Sequence, residues 1–142
     1  MSHEIVVAMI VRSQTILLGK RSPERQFYPD VWDLFGGHVE PGEELEQTLV
    51  RELQEELDIT PSEWTFVETF RQPLPAQGAE PPDELIAHVY LIHAWTGTPV
   101  NRQPEEHSQI AWLTLAQAIA LPLADPISPE LVARYLSMDS SG

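Results

Sequence analysis

Residues 36–59 read GGHVEPGEELEQTLVRELQEELDI, and this stretch decides how the remainder is read. From Glu43 to Leu57 there is neither Gly nor Pro. Pro41-Gly42 stands before this run, and Asp58 and Pro61 stand after it, so both ends of a helix are marked. With Leu45 at zero and roughly 100° per residue, Leu49, Leu53 and Leu57 fall near 40°, 80° and 120°, one apolar stripe that packs on a sheet. On the same wheel Glu56 lies near 20°, Glu52 near 340° and Glu55 near 280°, beside the stripe, while Gln47 and Gln54 lie opposite.

Local chemistry opposes these three carboxylates. Glu52 with Glu56 and Glu52 with Glu55 are like-charge neighbours on the helix, costing a few tenths of a kcal/mol per pair. They also occupy the last turns, where the helix dipole is negative. A hard cation that takes oxygen ligands turns this repulsion into coordination, and magnesium or manganese fits. Read from these residues alone, the alternative is a solvated acidic helix partly neutralised by Arg51, the i,i+4 partner of Glu55.

Working outward, Ile5 to Val11 and Thr15 to Leu18 are apolar runs separated by Arg12-Ser13-Gln14, which reads as a β-hairpin. Lys20 to Asp30 is a polar loop; Val31 to Phe35 then forms a short strand leading into a tight turn at Gly36-Gly37. Trp64 to Phe70 and Leu85 to Trp95 read as strands, joined by a proline-rich surface loop from Gln72 to Asp83. Ile110 to Leu113 suggests a last strand and Leu115 to Ala120 a short helix. Ser128-Pro129-Glu130 opens a closing helix that runs to Leu136. Strands and helices intermixed in this way imply an α/β fold, a mixed sheet covered by helices.

The chain has 142 residues, which fits a single domain. Without cysteine, disulfides and thiolate chemistry are excluded. The formal net charge of −14 repels a nucleic-acid backbone or an anionic membrane surface, so neither is expected as a partner. A small anionic substrate is compatible with that charge if a bound cation reverses the local field. No apolar run is long enough to span a bilayer, and Met1-Ser2-His3-Glu4 lacks the basic flank of a signal peptide, which makes the cytoplasm the expected location. Oligomeric state is not legible.

Gly37, five residues, Glu43, seven residues, then Arg51-Glu52-Leu53-Gln54-Glu55-Glu56-Leu57-Asp58-Ile59 resembles the signature box of the Nudix (MutT-like) hydrolases, departing from it only where Asp58 replaces a glycine. The resemblance implies one Nudix domain over residues 1–142, an α/β/α sandwich with a mixed β-sheet. It implies hydrolysis of a nucleoside diphosphate linked to another group, with magnesium as cofactor. Glu52, Glu55 and Glu56, with the Gly37 carbonyl, would be metal ligands. Arg51 would orient the glutamates through salt bridges, and Glu43 would support the loop and helix. The general base varies among members: Glu55 is one candidate, and Glu106, ahead of Trp112, resembles the loop glutamate that others use. His107 is expected to be structural or exposed. Asp58 tolerates the left-handed conformation of the glycine it replaces at a cost of about 1 kcal/mol.

A short chain with no added domain resembles the members that cleave nucleoside triphosphates, oxidised ones included, to monophosphate and diphosphate. Arg21 aligns with a substrate-contacting arginine, and Asp125 takes the place of a residue that reads the base, or else is a turn residue before Pro126. Phe35 stands where relatives often have proline, which would put an aromatic near the substrate. ADP-ribose, NADH, nucleotide sugars and dinucleoside polyphosphates are the alternative substrates. A nucleotide sensor without turnover is the non-enzymatic reading, and the retained box glutamates weigh against it.

Overall fold

The structure is a computed structural model that describes residues 2–24, 30–74, 83–123 and 129–136. Strand β1 (Ser2–Arg12) turns into β2 (Thr15–Arg21) through Ser13 and Gln14, whose φ values of 51° and 65° are the paired left-handed conformations of a tight hairpin. Next come β3 (Trp32–Asp33), β4 (Phe35–His38), α1 (Leu45–Leu57), β5 (Thr60–Pro73), β6 (Glu84–Thr96), β7 (His107–Thr114), α2 (Leu115–Ile119) and α3 (Pro129–Leu136). The sheet order is β3-β2-β1-β6-β5, with β4 paired to β1 and β7 to β2. Strand β1 runs parallel to β6 and antiparallel to β4, so the sheet is mixed, as expected.

Alternation along the central strands divides the core in two. Val6, Ala8 and Ile10 of β1, Leu17 of β2 and Tyr90 and Ile92 of β6 join Leu49, Leu53 and Leu57 of α1. Met9 and Val11, Ile16 and Leu18, and Val89 and Leu91 join Ala118 of α2 with Val132 and Leu136 of α3. Successive strand residues point to opposite faces, so α1 covers one face and α2 with α3 the other. Both faces of β1 are buried, which is why Ile5 to Val11 is continuously apolar. No helix among the described residues is long and apolar enough to cross a membrane.

Four expectations are corrected. Gly36-Gly37 is not a tight turn but part of β4, paired with Val7 and Val6. Gly36 has φ +149°, and a Cβ there would collide with the Val6 carbonyl, so the pair serves close approach of two backbones. Val31 to Phe35 is two strands broken at Leu34, the first pairing with β2 and the second with β1. The proline-rich loop is shorter than read, because Gln72 and Pro73 pair with Leu85 and Glu84. Strand β5 ends the sheet, where a proline forfeits no ladder bond on its open side. Helix α1 starts at Leu45, with Glu44 as its N-cap, so Glu43 precedes the helix. Ser128 lies outside the described residues.

Candidate active site

The leucine stripe fixes the rotation of α1: Leu49, Leu53 and Leu57 are fully buried, and the glutamates follow in the order the wheel gives. Glu56 is 5% exposed, the Glu52 side chain 15% and the Glu55 side chain 49%. Across from them lies β4. The Gly36 N–H donates to Glu56 Oε1 at 2.9 Å, and the Glu52 carboxylate fills the space in front of Gly37 that a Cβ would occupy. The glycine pair is therefore a cradle for two carboxylates.

Arg51 organises the exposed side of this cradle. Its Nε donates to Glu43 Oε2 at 2.8 Å and its Nη2 to Glu43 Oε1 at 3.0 Å, a bidentate pair. Nη1 donates to Glu52 Oε1 at 2.8 Å and to Glu55 Oε2 at 3.3 Å, and Nη2 also to the His38 carbonyl at 3.0 Å. The guanidinium lowers the Glu43 pKa to about 2, and Glu43 in turn raises that of Arg51. Glu43 also accepts from the Glu40 N–H at 3.1 Å and the Thr48 hydroxyl at 2.6 Å, which ties the loop to the helix start.

Glu106, about a third of the chain further on, is brought in by the end of α1. The last carbonyls of a helix lack intrahelical donors. Here Val100 N–H donates to the Leu57 carbonyl and Arg102 N–H to the Glu56 carbonyl, each at 3.0 Å. The same segment then turns, with Glu106 N–H on the Gln103 carbonyl at 2.9 Å, and the Glu106 carbonyl accepts from Ser22 N–H at 2.9 Å. Glu56, Glu106 and His107 end up offering ligand atoms that all lie within 4.8 Å of one another.

Burial is the main reason the Glu56 pKa rises well above its ordinary value; the Gly36 N–H opposes it, while Glu52, Glu106 and Asp33 add repulsion. Burial also raises Glu52, Arg51 pulls it back, and Glu55 and Glu106 push it up again. Carboxylates gathered, half-desolvated and mutually repelling are a donor set of hard oxygens, and a divalent cation fits them.

The structure thus brings Gly37, Arg51, Glu52, Glu55, Glu56 and Glu106 together. Arg21 sits at the end of β2 with its Nη1 on Asp33 Oδ2 at 3.1 Å, adjoining the segment that holds Glu106. Phe35 is a correction: its ring is 1% exposed in the core against α1, so it backs the site and offers no open face to a ligand. Asp125 lies outside the described residues. Sequence reading missed Asp33, which the fold carries near Glu56 and which no spacing marks. It also passed over His107 as a site residue. That histidine is 4% exposed, and its adjacency to Glu106 at the head of a strand was the available signal.

Comparison with known proteins agrees with this geometry. The NUDIX domain family model matches residues 1–135. The chain is 33% identical to a CTP pyrophosphohydrolase of Escherichia coli strain K12, covering 92% of this chain and 89% of that one. It is 37% identical to the nucleoside triphosphatase NudI of Escherichia coli O1:K1, covering 77% and 79%. The crystal structure of a MutT NUDIX hydrolase from Burkholderia pseudomallei superposes with a TM-score of 0.75 at 29% identity, covering 96% and 97%. The mixed sheet between helices, the glutamates in their glycine cradle and these matches agree: the chain belongs to the Nudix family of hydrolases.

Proposed function

We propose that the protein hydrolyses a nucleoside triphosphate, unmodified or oxidised, to nucleoside monophosphate and diphosphate with magnesium. The observation that carries this reading is the seating of Glu52 and Glu56 on the Gly36-Gly37 cradle with Glu106 beside Glu56, burial and mutual repulsion raising the pKa values of the first two. The two enzymes named above as relatives, a CTP pyrophosphohydrolase and a nucleoside triphosphatase, support the substrate class.

Glu52, Glu55 and Glu56, with the Gly37 carbonyl, would hold the ion; manganese suits the same oxygens. Bound there, magnesium supplies charge that screens the polyphosphate and Lewis acidity that activates the attacking water. Water adds to phosphorus, the bond to the bridging oxygen breaks, diphosphate leaves, and the water proton passes to a carboxylate. Glu55, on the exposed side, and Glu106, beside Glu56, are the two acceptors the fold supplies. Arg51 holds Glu52 and Glu55 in place throughout, and Arg21 and Asp125 are proposed substrate contacts.

The test is a screen of purified protein with magnesium against unmodified and oxidised nucleoside triphosphates, ADP-ribose, NADH, nucleotide sugars and dinucleoside polyphosphates, reading released phosphate and diphosphate. Triphosphates should turn over with diphosphate as product, and Glu52→Gln should lower kcat by about 10³-fold or more. Inertness toward triphosphates, or full activity of Glu52→Gln, would overturn the reading. Glu55→Gln and Glu106→Gln, compared by their pH–rate profiles, identify the base.

A further inference from the structure

The segment Asn101-Arg102-Gln103-Pro104-Glu105-Glu106-His107 delivers Glu106 against a local force. Glu52 and Glu56 both feel the charge of Glu106 as repulsion, so a carboxylate carried on a loop is driven outward there. The backbone is anchored on two sides: Val100 and Arg102 cap α1, and the Glu106 carbonyl accepts from Ser22 N–H. Between these anchors the chain reverses at Gln103, whose carbonyl accepts from Glu106 N–H at 2.9 Å and from His107 N–H at 3.0 Å. Pro104 stands at the second position of this turn, where its fixed φ suits. The half-buried side chain of Asn101 then closes the loop at its neck. Its Nδ2 donates to the His107 carbonyl at 2.8 Å, and its Oδ1 accepts from Gln103 N–H at 3.3 Å.

We infer that Asn101 is a positioning residue: its amide holds the entry and the exit of the 101–107 loop together and thereby sets Glu106 beside Glu56. This rests on the reading of Glu106 as a site residue. An uncharged amide offers a donor and an acceptor at the same reach, and the orientation with Oδ1 on the N–H and Nδ2 on the carbonyl satisfies both. Aspartate has the same shape but only acceptors, so one of its oxygens would face the His107 carbonyl. Alanine has neither group. Glu106 lies immediately inside the neck, next to His107, so a neck that opens moves the backbone from which its carboxylate is aimed. A loop held only for stability leaves Asn101 and Glu106 independent in their effect on rate, whereas a loop held for Glu106 couples them.

Asn101→Ala and Asn101→Asp, each made alone and on Glu106→Gln, test this coupling, with rates measured well below the melting temperature of every variant. Asn101→Ala should lower kcat by about 10- to 100-fold with little change in KM, the scale of loss that a misplacement near about 1 Å produces. Asn101→Asp should lose at least as much, although it preserves size. In the Glu106→Gln background neither change should lower kcat further by more than about twofold, because the group they position is already gone. Losses that multiply with that of Glu106→Gln would overturn the inference and leave Asn101 a residue of loop stability alone. Unchanged kcat in Asn101→Ala or Asn101→Asp would overturn it as well. Should Asn101→Ala not fold, the isosteric Asn101→Asp carries the same cycle. A Glu106→Gln enzyme with wild-type kcat sinks the reading of Glu106 itself, whereas an impaired Glu106→Gln beside a fully active Asn101→Ala sinks this inference alone.

Discussion

Arg51 makes contacts that no other side chain could reproduce from one position. Its planar fork grips Glu43 with two nitrogens and still reaches Glu52, Glu55 and the His38 carbonyl. Lysine keeps the charge but has a single nitrogen, so Arg51→Lys should release Glu52 and Glu55 and lower kcat roughly 10- to 100-fold. Magnesium titration of activity should show weaker apparent affinity, and unchanged kinetics would refute the role. At this scale the sequence was informative where the helix period applied. The order of burial from Glu56 to Glu52 to Glu55 follows from the apolar stripe. It was uninformative for Asp33, whose nearness to Glu56 depends on chain segments apart in sequence.

The end of α1 carries a small defect that the chain tolerates. Asp58 has φ 58° and ψ 37°, left-handed, where the resemblance leads one to expect glycine. A side chain there costs energy because its Cβ crowds the following carbonyl. Its exposed ion pair with Arg102, at 3.5 Å, returns little. Asp58→Gly should therefore stabilise the protein by about 0.5–1 kcal/mol, a rise of about 3 °C in melting temperature, with kcat unchanged. A melting temperature that does not rise would show that Asp58 has local partners worth as much as the strain. The helix and the hairpin were legible as elements, because their signals lie within one continuous stretch. The extent of β5 and the division of β3 from β4 were not, because a strand's limits depend on which partner backbone runs beside it.

For the whole molecule, the consequence of this site is a pH dependence peculiar to the metal-free state. Glu52 and Glu56 have folded pKa values raised above the ordinary 4.5, so the folded chain binds more protons than the unfolded one above that pH. Stability therefore falls as pH rises from about 4.5 through the raised values. Glu43, lowered to about 2, contributes the opposite: stability present above its unfolded pKa and lost as pH falls through about 2. Metal-free protein should melt higher near about pH 5 than near about pH 8, and Glu56→Gln should flatten that slope while stabilising the protein at the higher pH by about 1 kcal/mol. Magnesium should also raise the melting temperature at the higher pH, by binding only the folded state. Calorimetric scans with equal slopes for wild type and Glu56→Gln would show that Glu56 is not held raised. The sequence by itself determined the helix, its buried stripe and the three carboxylates beside it, since these follow from a period of about 3.6 residues and from charge spacing along one element. Only the tertiary structure decided that Gly36-Gly37 lies in a strand as a cradle, that Phe35 is core, and that Glu106 and His107 meet Glu56. Those contacts close long loops, and their geometry is set by strand pairing and by the unpaired carbonyls at the end of α1 that capture residues 100–106.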